Sequence, residues 1–507
     1  MAQQQGSSLT GAITKQGFSS RRYFDEQVKA ILDRVAHFDK LYLEFGGKIL
    51  TDYHAARVLP GYEKDLKVQL LKELKDESEI LYCVGAKELQ KGKIRHDLGL
   101  THDTLAIKEI QALREQGLTV TAVVITRFEG ESAASRFKRR LENLRERVYV
   151  TGEIKGYPRE LDAVTSERGF GKQPRIETTK PLVIVTGAAA GAGKCATCLA
   201  QFYLDNQVGV DAGYAKLETF PIWNLPLKHP VNLAYEAAAA DLQDRNLVDR
   251  FHQEAYGKEA VNYNRDVENF EILDAILKRT TTSDNFVSTY RSPTDMGVNR
   301  AKEGIVDDGV VREASKQEVV RRYFSYRQKF FRGIESLETL RRMDEIMQEL
   351  GLTPAYRRVV VAARRKRKEK QAHAAAVELA DGRLVTGKSS SLLHAEAAVV
   401  LNALKTLAGV PDDLKLLPKH IIGTIQGLRT EQFGLSHASL DLEETLITLA
   451  IASAHNPLAQ RCVSLLRELN GCEMHATILP TPGDDGALRK LRINVTADVE
   501  LPVDGKG

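Results

Sequence analysis

The chain reads as an α/β protein, and three observations predict it. Apolar, β-branched runs alternate with charged amphipathic stretches from Leu41 to Leu217. The run Pro181-Leu-Val-Ile-Val-Thr186 empties into a glycine-rich turn closed by Lys194, and a β signal returns after Thr353-Pro354. At 507 residues, and with roughly 150 residues per domain, two to four domains are expected.

The first strand candidates are Leu41 to Phe45, Glu79 to Val84, Thr119 to Thr126, Pro181 to Thr186 and Ala212 to Leu217, with amphipathic stretches such as Thr104 to Gln116 and Ser132 to Arg147 between them. That alternation predicts a P-loop or Rossmann-like parallel sheet over 23–230, behind a flexible tail over 1–22. From Val231 to about Gly351 polar helical patterns dominate, including Val310 to Phe324 and Ile334 to Leu350, which gives a helical subdomain over 231–352. A smaller α/β domain follows over 353–507. In it a β pair from Val377 to Thr386 turns at Asp381-Gly382, an apolar helix runs from His394 to Leu407, and Met474 to Leu479 and Leu491 to Thr496 are late strands.

Lys and Arg total 72 against 68 acidic residues, a net charge of +4. Spread over this length it makes no global field for nucleic acid or membrane, and neither partner is expected. The first residues show no basic-then-apolar signal pattern, and five scattered cysteines suit a reducing compartment, so a cytoplasmic protein is expected.

The most informative stretch is Gly187-Ala-Ala-Ala-Gly-Ala-Gly-Lys194. Glycines let backbone N–H groups turn inward, and a helix starting at the lysine aims its positive end at the same point, which suits a phosphate. The match to the nucleotide-binding pattern is imperfect. Gly187 stands one residue too far from Gly193, and Cys195 replaces the hydroxyl residue that would hold magnesium, leaving Thr197 as the nearest hydroxyl. The plainer reading is a strand-to-helix turn with no ligand. Cys195, Cys198, Leu199, Phe202 and Tyr203 fall on one helical stripe, so both thiols are read as core, with Cys195 expected to carry a lowered pKa beside Lys194.

The next strand runs into Lys216, Glu218, Thr219, Lys228, His229 and Asn232, a proline-stiffened and reactive segment whose plainer reading is a bent crossover. Glu218 is the first choice for a magnesium carboxylate, with Asp211 and Asp307 as alternatives. A second strand-to-glycine turn, Phe45-Gly-Gly-Lys48, is followed by Asp52, His54 and Arg57, and places Lys48 and Arg57 as candidates for an anionic substrate. His394-Ala-Glu396 has the layout of a zinc deaminase, in which His ligates and Glu moves protons. The downstream Pro-Cys-x-x-Cys is missing, so the layout informs fold more than chemistry. The basic run Arg364 to Lys370 reads as a solvated connector.

Leu41-Tyr-Leu-Glu-Phe-Gly-Gly-Lys48, Asp52 through Gly61, Gly213 through Glu236, Asn262-Tyr-Asn-Arg-Asp266 and Ser292 through Asn299 resemble a bacterial family known as domain of unknown function 1846. The resemblance spans roughly Tyr23 to Val495 and implies a cytoplasmic bacterial protein with a large N-terminal and a smaller C-terminal domain. It supplies no catalytic residue, so the roles rest on physical argument. Gly187, Gly191, Gly193, Lys194 and Thr197 would bind phosphate; Lys194, Lys216, Glu218 and His229 would be catalytic; Lys48, Arg57 and Asn232 would bind substrate; Thr197 and Glu218 would place magnesium. The expected ligand is ATP or another nucleotide with magnesium, or a phosphorylated metabolite, in a phosphotransferase or ligase; homo-oligomerisation is left open. The alternatives are a non-catalytic nucleotide-binding regulator or scaffold and, more remotely, a deaminase-like metal enzyme at His394 and Glu396.

Overall fold

Leu182, Val183, Ile184 and Val185 are all fully buried. A run with no polar alternation belongs to a parallel strand covered on both faces. The computed structural model describes residues 16–92, 94–95 (backbone only), 100–187, 191–434 and 438–499, and the chain divides into two units, Lys15–Ser315 and one formed mainly by Lys316–Gly507.

The first unit is built on six strands: β1 (Lys40–Phe45), β2 (Ser78–Gly85), β3 (Val120–Thr126), β4 (Val148–Val150), β5 (Leu182–Gly187) and β6 (Ala212–Leu217). They pair in parallel in the order β4-β3-β2-β5-β1-β6. Five of the six follow the apolar runs of the sequence. The sixth, β4, is a three-residue edge strand of half-buried side chains, too short and too wet to leave a pattern. The chain leaves β2 toward β3 and leaves β5 in the opposite direction toward β6. A switch of direction between neighbouring strands therefore opens at the carboxyl ends of β2 and β5, where open α/β sheets bind ligands.

Residues 16–22 are packed rather than tail-like. Gly17 and Phe18 donate their N–H groups to the Pro60 carbonyl, Phe18 is fully buried, and helix α1 (Ser20–Val35) is capped by Ser19. The stretch after Val231 is mainly helical, as its pattern predicts, but includes an antiparallel pair, Asn246–Val248 with Val261–Tyr263. No helix among the described residues is long and apolar enough to cross a membrane.

In the second unit β7 (Ala374–Glu378), β8 (Leu384–Lys388), β9 (Glu473–Ala476) and β10 (Asn494–Ala497) form a sheet in the order β8-β7-β9-β10. Only β9 and β10 are parallel. The pair anticipated at Val377 starts earlier, because an alanine run without β-branched residues hides β7. The run Arg364 to Lys370 lies on the helix Arg358–Lys370 and is no connector: Val359, Val360, Ala362 and Ala363 anchor that helix in the core, and Arg364 pairs with Asp498 at 2.7 Å. Buried Arg357 bonds Glu473 and Thr496, tying that helix start to β9 and β10.

Candidate functional site

The glycines of the β5 turn are there for space and conformation. A Cβ at Gly187 would lie 2.4 Å from the Cys83 carbonyl oxygen. Gly193 has φ +86 and stands directly before helix α2 (Lys194–Gln207); a Cβ there would meet Thr126 Oγ1 at 2.6 Å. Gly191, at φ +75, faces open space. Residues 188–190, part of the expected phosphate cradle, lie outside the described residues. Helix α2 has no side-chain cap, so its first N–H groups are not taken by a capping residue. Lys194 is its first residue.

Two residues from the end of β3 grip this turn. Thr126 Oγ1 donates to the Ala192 carbonyl at 2.8 Å, and Arg127 Nη2 donates to the Gly191 carbonyl at 2.5 Å while pairing with Glu88 at 3.0 Å. Arg127 sits at φ +53, a left-handed conformation that non-glycine residues seldom adopt. Sequence reasoning missed both, since a Thr-Arg pair after a strand carries no motif. Glu88 also lines a cavity of about 230 Å³ with Thr101, His102, Arg136, Phe137 and Arg140, between the helices that follow β2 and β3.

The ends of β5, β1 and β6 lie side by side, so the β5 turn and the end of β6 are about 10 Å apart at the usual interstrand spacing. The pairing Glu44 with Lys216 and Tyr42 with Tyr214 puts all four side chains on one face. Helix α2 covers that face: Tyr42 donates to Asp205 at 2.7 Å, Cys195 Sγ lies 3.7 Å from the Tyr214 hydroxyl, and Tyr214 donates to Glu44 at 3.0 Å. Lys216 Nζ reaches both oxygens of Asp266, at 2.8 and 2.6 Å, in the first turn of helix α3 (Asn264–Thr280). Burial alone would lower the Lys216 pKa, but Asp266, Glu218 and Glu44 together hold it well above the ordinary lysine value.

Glu218 follows β6 and packs over the second glycine turn. A Cβ on Gly46 would lie 2.4 Å from Glu218 Cγ, and Gly46 N donates to the Leu217 carbonyl at 2.8 Å. Desolvation raises the Glu218 carboxyl above its usual value, opposed by Lys216 and reinforced by Asp266. Tyr263, whose hydroxyl donates to the Phe220 carbonyl at 2.6 Å, and Tyr235 close over the same carboxyl. The Gly46-Gly47 turn foreseen from sequence thus packs against Glu218, whereas the β5 turn is held by Thr126 and Arg127. Asp266 and Glu44 complete the cluster unforeseen in role; the signal for Asp266 was the Asn-Arg-Asp that opens a helix.

Other predicted residues are engaged elsewhere. Thr197 Oγ1 donates to the Gly193 carbonyl at 3.0 Å and accepts from Cys83 at 3.6 Å, so its hydroxyl points into the helix and sheet. His229, 1% exposed, caps the helix Pro230–Ala238: Nδ1 accepts from Val231 N, leaving the Nε2 proton to Asp308 at 2.8 Å. Its pKa is lowered, chiefly by burial. Asn232 clips both backbone polar groups of Ile222, at 2.8 and 3.2 Å. Lys48 is exposed just beyond the Gly46-Gly47 turn, and Arg57 is half-buried on the short helix Tyr53–Val58. That turn is braced by buried Lys67, which pairs with Asp52 at 2.9 Å and bonds the Gly46 carbonyl. The activated thiol expected at Cys195 is corrected: burial and the Glu44 charge push it up to about 12, outweighing Lys216.

The deaminase layout in the second unit is not assembled as a metal centre. Among the described residues no group of three or more His, Cys, Asp and Glu could hold a metal ion. Cys462 and Cys472 are buried, and Cys472 donates to the Glu468 carbonyl.

Two family models match the chain, the N-terminal region of domain of unknown function DUF1846 over residues 16–351 and its C-terminal region over 355–504, the first reaching past the division of the two units at Ser315. The chain belongs to the DUF1846 family. A UPF0371 protein of Clostridium botulinum strain Eklund 17B is 47% identical over 496 residues, 96% of this chain and 98% of the relative. Another, from strain Loch Maree, is 46% identical over 492 residues, 96% and 97% of the two chains. The relatives share both regions, so the loop unit and the His394 unit travel together in this bacterial family.

Proposed function

We propose that the Gly187–Lys194 turn and the Lys216–Glu218 edge form one site for a nucleotide or phosphorylated metabolite, and that the protein is an ATP-dependent phosphotransferase or ligase. The observation that carries this is that β5, β1 and β6 end side by side on one edge of a parallel sheet, two of them in glycine turns and the third in a buried Lys–carboxylate cluster. In this reading the uncapped start of α2 and Lys194 hold phosphate oxygens. Arg127, which holds the Gly191 carbonyl and pairs with Glu88, would set the direction of the turn's peptide groups, and Lys216 steadies Asp266 beside the acceptor. Glu218 is the group that fits magnesium or a proton-transfer role, whereas Thr197, with its proton committed to Gly193, does not fit as a metal ligand. The small-molecule ligand, a cytoplasmic location and independence from nucleic acid and membrane belong to this reading.

The second reading is a nucleotide-binding regulator without turnover. Its support is the placement of Cys195 where magnesium would need a hydroxyl and the bidentate lock on Lys216. A thermal-shift titration of wild type and Lys194→Ala with ATP, GTP and inorganic phosphate, with and without magnesium, tests binding; saturation near 100 times the dissociation constant adds roughly 2.7 kcal/mol. A shift lost in the variant is expected, and none with any ligand would overturn the site. Steady nucleotide hydrolysis or transfer, lost in Glu218→Ala, separates enzyme from regulator.

A further inference from the structure

Three helix starts meet inside the second unit. Asp441 caps Leu442–Ser453 and Thr481 caps Pro482–Lys490, each in a complete capping box with Glu444 and Asp484 respectively. The third helix, Ala395–Ala408, begins after His394 and has no side-chain cap. Two backbone bonds and one to a carboxylate hold the starts together: His394 N donates to the Leu440 carbonyl at 2.9 Å, Leu440 N to the Leu392 carbonyl at 2.8 Å, and Leu442 N to Asp484 Oδ1 at 2.7 Å.

At this junction His394 Nδ1 lies 2.8 Å from Asp484 Oδ2, and the Asp484 side chain is fully buried. Asp484 also accepts the Thr481 hydroxyl at 2.6 Å. Burial would raise its pKa, but His394 and Thr481 hold it below the usual value, so it is ionised and the imidazole proton stays on Nδ1. The Nε2 lone pair is left as acceptor, on a side chain 19% exposed. Two residues on, Glu396 is 2% exposed, and its Oε1 has no hydrogen-bond partner among the described residues. An orphaned buried carboxyl oxygen is costly unless the carboxyl is protonated or a ligand meets it. Burial, then the Asp484 charge, raises Glu396 to about 7, while Asp484 raises His394. The other charged group facing His394 is Asp441, whose own neighbour Glu444 is paired with Arg429 at 2.5 Å.

We propose that His394, Glu396 and the uncapped start of helix Ala395–Ala408 form a second, hydrolytic site for a small ester or amide, with Asp484 as its positioning residue. His394 Nε2 takes a proton from water, and the water oxygen bonds to the carbonyl carbon, whose π pair moves onto oxygen at the helix start. When that pair re-forms the carbonyl, the bond to the leaving oxygen or nitrogen breaks and Glu396 gives its proton to the leaving group. The proton on His394 returns to the Glu396 carboxylate through solvent, which restores both groups.

The test is hydrolysis of ethyl acetate, whose alkoxide leaving group needs a proton, by the full chain across pH 5 to 9. Saturable turnover with a bell-shaped profile near neutrality is expected. His394→Gln lowers kcat/KM by about 100-fold or more and Glu396→Gln removes the basic limb, as loss of a general base or acid does. Asp484→Asn lowers kcat more than it raises KM and moves the acidic limb to lower pH, because the charge that raises His394 is gone. His420→Gln, an exposed histidine, leaves the rate unchanged. Wild type no faster than His394→Gln with an intact circular-dichroism spectrum, or no faster than the same concentration of free imidazole, would overturn the proposal. Should His394→Gln unfold, a wild-type rate that rises monotonically with pH would do so.

Discussion

The two units each start a helix without a side-chain cap, yet they furnish it in opposite ways. At Gly193 the helix start follows a left-handed glycine and is headed by half-buried Lys194, so free donors and a positive charge stand together. At His394 the start is lined by an imidazole, a buried acid and a buried carboxylate, so the same dipole faces groups that exchange protons. An uncapped helix end is therefore no signature of one ligand class. The residues of the first two turns decide whether it suits a permanent anion or a charge that develops transiently.

The sharpest way to break this contrast is at Asp266. If the first unit reserves cationic charge for an anion, Lys216 must be held by its partner, and Asp266→Ala takes from a mostly buried ammonium its hydrogen-bonded carboxylate, leaving only the charges of Glu218 and Glu44. A loss of about 3–5 kcal/mol is expected, read by urea unfolding through Trp223, the only tryptophan and a residue of that unit. Adding Lys216→Met to the variant recovers much of the loss. Equal stability of wild type and Asp266→Ala would mean the cation is not buried as described.

Glu396→Gln tests the other side. A carboxyl whose pKa rises from 4.5 to about 7 on folding binds more protons folded than unfolded in that window, so its contribution to stability falls as pH rises. The difference reaches about 3 kcal/mol above pH 7. Hydrogen exchange of helix Ala395–Ala408 should show wild type gaining protection relative to Glu396→Gln as pH drops from 8 to 4. A pH-independent difference would place the carboxyl in solvent. A smaller effect is expected at Gly193→Ala, where a positive φ costs roughly 1–2 kcal/mol and the new methyl presses on Thr126. Phosphate binding should weaken with it, while ethyl acetate hydrolysis stays.

The strands were legible where burial on both faces left continuous apolar runs; Ala212–Leu217 matches residue for residue. β4 was not, because a short wet edge carries little pattern, and the β7–β8 pair was legible by its turn but not in the alanine run that opens β7. The site was half legible. Gly187, Gly193, Lys194, Lys216 and Glu218 announced themselves by turn chemistry or charge after a strand. His229 and Asn232 looked equally reactive, but their polar atoms are spent on a helix cap and a backbone clip, and residue type does not reveal such partners. Thr126, Arg127 and Asp266 reach the turn and its neighbour from distant sequence, and only pairing of β3 and packing of α3 bring them in.

Thr126 and Arg127 fix the carbonyls of Ala192 and Gly191 from 66 and 64 residues away. The turn is therefore no portable module. A segment spanning 181–207, grafted onto another parallel sheet, would carry the glycines and the lysine but lose the two clasps that set the direction of its peptide planes. Its transplantation would need the end of β3 as well, and any circular permutation that separates β3 from β5 in time would make the shape of this turn among the last features the folding chain acquires.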